Sequence, residues 1–71
     1  MITVKKIFRD EELYFVWADE ECFAFFYLLS SVGEKQVWAV SGQHKPLAAN
    51  VDDFVSYDHA LQFIMAHAPV Q

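Results

Sequence analysis

Cys22-Phe23-Ala24-Phe25-Phe26-Tyr27-Leu28-Leu29 is eight apolar residues without interruption, four of them aromatic, with Glu20-Glu21 before it and Ser30-Ser31 after it. The run is too short to cross a bilayer as a helix, which takes about 20 residues. A helix reading has some support. Asp19 could cap it, Glu20 and Glu21 suit a first turn, and Gly33 could follow the last turn. Such a helix would be apolar all round, and a 71-residue chain has no interior large enough to enclose it. Aromatic side chains also fit a pleated surface well, so the stretch reads as a strand. Alternation then directs Cys22, Ala24, Phe26 and Leu28 to one face and Phe23, Phe25, Tyr27 and Leu29 to the other. Both faces are apolar, whereas a sheet with one wet face alternates apolar with polar. The strand is therefore expected at the centre of a sheet, with both sides covered.

Working outward, Leu13-Tyr14-Phe15-Val16-Trp17 is a second strand of the same two-sided character. Ala18-Asp19-Glu20-Glu21 separates it from the central run and has the length of a hairpin connection. Before it, residues 2–8 alternate loosely, with Lys5 and Lys6 discouraging edge-to-edge pairing of a first strand. After the central run, residues 31–35 read as a turn in which Gly33 takes a positive φ. Gln36-Val37-Trp38-Ala39-Val40 is a fourth strand. Residues 43–46 are expected to be loop, since Pro46 cannot sit in a central strand. Residues 47–55 read as an extended return with a short edge strand near Val51. The last segment is a helix: Ser56 is an N-cap, Asp58 suits the first turn, and Pro69 stops it. Tyr57, Ala60, Leu61, Ile64, Met65 and Ala68 recur at helical spacing and form its apolar face. His59 stands where a capping box would have Glu or Gln.

These elements predict one α+β domain over residues 1–71. An antiparallel meander of about four strands carries one C-terminal amphipathic helix on one face. The apolar fraction of 55% places the chain among folding sequences, and its small size leaves stability marginal without assembly. The net charge of −5 argues against a nucleic-acid backbone as ligand, since only Lys5, Lys6 and Arg9 are grouped. The start of the chain has no apolar core of signal-peptide length, so a cytoplasmic, non-membrane protein is expected.

No residue pattern points to catalysis. His59 and His67 are eight apart, against the four that helical metal ligands use, and His44 has no cysteine or carboxylate beside it. The lone Cys22 lies in an apolar strand, where its thiolate is disfavoured. Two glycines cannot build a phosphate loop. The expectation is a chain with no enzyme activity, metal or cofactor.

The strongest pattern is the aromatic surplus. Tyr14, Val16, Phe23, Phe25, Tyr27, Trp38 and Val40 cannot all lie under one twelve-residue helix, and a large apolar patch left over marks an interface. A homodimer through the sheet face away from the helix follows as an expectation, with Trp38 and Phe25 at its centre. The acidic runs Asp10-Glu11-Glu12 and Asp19-Glu20-Glu21 flank the second strand and would present a negative patch to a further protein partner of basic character, with Asp19, Glu20 and Glu21 steering its approach. In size and charge the chain is similar to small acidic inhibitors of phages and mobile elements. The functional expectation is thus a non-catalytic protein–protein interaction module, an inhibitor or adaptor acting as a homodimer. The alternative is a small-molecule or enzymatic site formed at the dimer interface.

Overall fold

The computed structural model describes residues 1–43, 47 and 51–68. Five strands form one antiparallel sheet in the order of the chain: β1 (Ile2–Lys6), β2 (Leu13–Ala18), β3 (Glu21–Val32), β4 (Lys35–Gly42) and β5 (Val51–Phe54). One helix, α1 (Tyr57–Ala66), packs on β3, β4 and β5. The two-layer α+β architecture is as expected, with β5 at the edge as a fifth strand. The loop expected at residues 44–46 and the helix stop expected at Pro69 lie outside the described residues.

Both central connections are two-residue hairpins. Asp19 and Glu20 join β2 to β3, and Asp19 takes φ 56°, a left-handed conformation that aspartate tolerates better than most residues. Gly33 and Glu34 join β3 to β4, and Gly33 has φ 61°. A positive φ at the first central residue twists the turn to match the strands, and glycine takes it without strain.

β3 is not a regular strand. Val16 pairs with Ala24 but Trp17 pairs with Cys22, so Phe23 is an extra residue, a β-bulge. Leu28 pairs with Trp38 but Ser30 pairs with Val37, so Leu29 is a second. Each bulge shifts the register by one and changes which residues share a face.

The core lies between the sheet and α1. Val16, Phe26, Val40, Ala60 and Ile64 are fully buried there, joined by Phe23, Ala24, Trp38 and Phe54. Its centre is an aromatic cluster. The Phe26 ring lies 5.2 Å from Tyr14, 5.1 Å from Tyr57 and 5.9 Å from Trp38. Leu47 closes one end by packing on Gly42: a Cβ built on that glycine would sit 2.6 Å from the Leu47 Cβ. Gly42 is therefore the residue that permits the close approach.

Ser56 caps α1 as expected, its hydroxyl accepting from the His59 amide at 3.1 Å. His59 is not simply solvated. Its Nδ1 accepts from the Val55 amide at 3.4 Å, doing one residue earlier what a capping-box glutamate does, and its ring packs edge-on to Phe54 at 5.0 Å. The helix face is also rotated from the expected one. Met65 is 47% exposed, and Phe63 instead packs against Phe54 at 4.9 Å. The reason is β5: it adds an apolar surface beside the helix that a four-strand sheet lacks.

A charged cluster borders the core at the start of β2. The Tyr14 hydroxyl donates to Glu12 Oε2, and Lys6 Nζ lies 3.6 Å from Glu12 Oε1. The bond to the carboxylate, with some burial, pushes the Tyr14 phenol up to about 12, while the same bond holds Glu12 below the usual carboxylate range. The signs follow directly. The Tyr14 contribution to stability is whole below its unfolded value of about 10 and is lost as pH rises through about 12. The Glu12 contribution is present above its ordinary value and is lost as pH falls through the lowered one. Alkaline titration of phenolate absorbance should therefore show a component near pH 12 that disappears in Tyr14→Phe and moves down in Glu12→Gln. An unchanged curve in Glu12→Gln would mean that the carboxylate does not hold the phenol.

Candidate interaction face

The sheet has a second face, turned away from α1. Leu13, Phe15 and Trp17 reach it from β2, and Phe25 and Tyr27 reach it from β3. Their register is set by the bulge at Phe23, beyond which Phe15 pairs with Phe25 and Leu13 with Tyr27. Ala39 and Ser41 of β4 continue the surface, opposite Tyr27 and Phe25. The Phe25 ring lies 5.9 Å from Phe15 and 6.2 Å from Tyr27, so the rings shield one another sideways. Each is half-buried by its neighbours, and no described helix or strand lies across them. Leu29, on the second bulge, is 51% exposed beside them.

Phe25 and Tyr27 stand as a ridge between two open depressions. The first, about 610 Å³, lies towards β2 and is bordered by Leu13 and Glu11. The second, about 390 Å³, lies towards β4 and β5 and is bordered by Leu29, Ala39 and Asp52. Each depression thus has an apolar floor, the first with Glu11 and Glu12 on its rim and the second with Asp52. On the β1 side, Lys5 Nζ lies over the Trp17 ring, 5.3 Å from its centroid. The Trp17 indole N–H is buried and has no acceptor among the described residues, which is uncommon for a tryptophan in contact with a core.

The residues expected to form a partner surface are divided between the two faces. Phe25 and Tyr27 are on the outer face. Tyr14, Val16, Phe23, Trp38 and Val40 are not: they belong to the helix side, Val16 and Val40 at 0%, Phe23 at 2% and Trp38 at 4% exposure. The two bulges are the cause. A bulge-free hairpin closed by Asp19-Glu20 would put Tyr14 opposite Phe25 and Val16 opposite Phe23, and one closed by Gly33-Glu34 would put Trp38 opposite Leu29. The observed register instead places Tyr14 opposite Phe26, Val16 opposite Ala24 and Trp38 opposite Leu28. Cys22 changes sides for the same reason. It pairs with Trp17 rather than sharing the face of Ala24 and Phe26, and its thiol donates to the Ala24 carbonyl at 3.6 Å.

Phe15, Trp17, Leu13 and Asp52 are the outer-face residues that sequence reasoning missed, whereas Glu11 was expected only as part of an acidic run. The pairing of Phe15 with Phe25 would have found the first three, given the bulge. Asp19, Glu20 and Glu21 are exposed at the far hairpin and border neither depression. Residues 47–55, which could have covered this face, do not do so where they are described. Leu47 packs on the helix side over Gly42, and Val51–Phe54 extends the sheet at its edge.

Neither His59 on α1 nor His67 at its C-cap faces this surface: His59 packs on Phe54 and His67 on Phe63, the latter at 4.7 Å. Among the described residues no three His, Cys, Asp or Glu side chains come together as a metal site would require. No described helix is long and apolar enough to cross a membrane. No protein-family model matches the chain, and neither a curated protein nor a solved structure is similar to it.

Proposed function

We propose that the chain is a non-catalytic protein–protein interaction module that engages its partner through the outer sheet face. One observation carries this reading: Leu13, Phe15, Trp17, Phe25 and Tyr27 form a contiguous aromatic surface over which no described element packs. Continuous apolar patches are costly to leave in water and are typical of binding surfaces, and aromatic side chains supply most of the anchoring energy in such contacts. Both depressions on this face are open to solvent, which suits contact with a partner's surface better than enclosure of a substrate.

A photoreactive phenylalanine analogue at position 25 tests the reading, with the same analogue at exposed Gln62 on α1 as control. Irradiation in cells of the source should give a discrete protein adduct from position 25 and none of that mass from position 62. No adduct, or the same adducts from both positions, would remove the outer face as a binding surface. The second reading, a homodimer through this face, is favoured by the self-contained aromatic strip, which a second copy could cover symmetrically. It predicts an adduct of two identical chains and a dimer in sedimentation equilibrium.

A further inference from the structure

We propose that the occupant of the outer face is a basic amphipathic helix of another protein, laid across the Phe25–Tyr27 ridge with cations on Glu11 and Asp52. This rests on the reading of the face as a binding surface and adds the chemistry of what binds there.

The backbone of the sheet decides the form of the occupant. Phe25 and Tyr27 sit in a strand paired on both sides, so this face offers side chains and no free peptide groups. An extended segment laid on it would leave its own N–H and C=O groups unpaired against an apolar surface, which is unfavourable. A helix satisfies those groups internally, as α1 does on the opposite face.

Charge decides its composition. The chain carries −5, and the rims of the two depressions hold Glu11, Glu12 and Asp52; Glu12 is taken up by Lys6 and Tyr14, whereas Glu11 and Asp52 have no ion pair among the described residues. Lys5, on this face opposite Phe15, has its ammonium placed over Trp17. A second copy would bring the same carboxylates to the same surface, whereas a cationic partner complements them.

Spacing decides the pattern. Leu13, Tyr27 and Ala39 lie in one row across the sheet, and Asp52 is in the strand beyond. Three strand spacings are about 14 Å, and Glu11, in the bend two residues before Leu13, lies at most about 7 Å off that row. The carboxylates are therefore about 14–16 Å apart, close to the spacing of two cations eleven residues apart on one face of a helix. Apolar residues between them would enter the depressions on either side of the ridge.

The test uses a synthetic helix-forming peptide of about fourteen residues, with Arg at positions eleven apart and Leu facing the same side between them. Two controls are a scrambled peptide of equal charge and a version with Glu in place of Arg. Binding is read by titration calorimetry on the full chain. The arginine peptide should bind at least about tenfold more tightly than either control. Tyr27→Ser should weaken it about tenfold while the thermal melt stays cooperative. The double reversal Glu11→Lys with Asp52→Lys should transfer the preference to the glutamate peptide. Equal binding of the scrambled peptide, or no change on charge reversal, overturns the inference. So does a stable dimer that excludes the arginine peptide. If that peptide fails while cross-linking at position 25 still yields a discrete foreign protein, the face binds a partner of other chemistry and only this inference falls. If both fail, the surface has been misread from the start.

Discussion

A Phe26→Ala variant is expected to lose about 3–5 kcal/mol of stability, whereas Phe25→Ala, one residue earlier, should lose about 1 kcal/mol or less. Phe26 is fully buried and is the residue on which Tyr14, Trp38 and Tyr57 converge. Truncating it leaves a cavity that these three rings cannot collapse into without losing their own contacts. Phe25 touches Phe15 and Tyr27 on the outer face and is open to solvent above. Its removal forfeits cross-strand contacts but opens no cavity. A chain of this size has roughly 4–11 kcal/mol of stability in total, so Phe26→Ala should be at or near the limit of folding. Urea denaturation of the two variants measures the difference. Equal losses would mean that the two faces of β3 have been assigned wrongly.

Trp38→Glu is expected to unfold the protein altogether. Pattern reading alone expects a folded monomer that has lost an interface, because it puts Trp38 on the outer face. In the structure Trp38 is 4% exposed, its ring lies 5.9 Å from Phe26 and 5.9 Å from Tyr57, and its indole N–H donates to Gln36 Oε1 at 3.0 Å. Truncating the ring would itself cost about 3–5 kcal/mol. A carboxylate in its place is buried without a partner, which costs several kcal/mol more or forces the group to take up a proton. The sum exceeds the stability available to a small chain. Trp38→Phe keeps most of the apolar contact and gives up the hydrogen bond, so it should fold with a loss of about 1–3 kcal/mol. Far-ultraviolet circular dichroism with a thermal melt distinguishes the variants. A folded Trp38→Glu would place this side chain on the outer surface.

The strand order, both hairpins and the N-terminus of α1 are legible in the residues. Asp19-Glu20 and Gly33-Glu34 lie between apolar runs, and a left-handed φ at the first residue of each pair suits Asp and Gly. Ser56 before a helical repeat is a local signal, and the hydroxyl makes the expected bond. The helix face was legible only in part, since Met65 and Phe63 have equal claims by spacing until β5 supplies Phe54 as a neighbour. Of the outer face, Phe25 and Tyr27 were readable from the central run. Trp17, Phe15 and the rim carboxylate Asp52 were not, since each reaches that face through the place of its strand in the sheet, and Glu11 was readable only as part of an acidic run.

The general character of the sheet, apolar on both sides and short of covering layers, follows from composition along Leu13–Trp17 and Cys22–Leu29. Which side chains face α1 does not. Where apolar and polar residues alternate, a one-residue slip would put polar groups in the core, so the pattern itself specifies the register. Here both phases are apolar, and a slip carries no such penalty that the pattern could reveal. The bulges at Phe23 and Leu29 make the choice, turning Tyr14, Val16 and Trp38 inward and Phe15 and Trp17 outward. Their selection depends on how Phe26, Trp38, Tyr14 and Tyr57 fill the space beneath the helix together, and that is a property of the packed core, absent from any one strand.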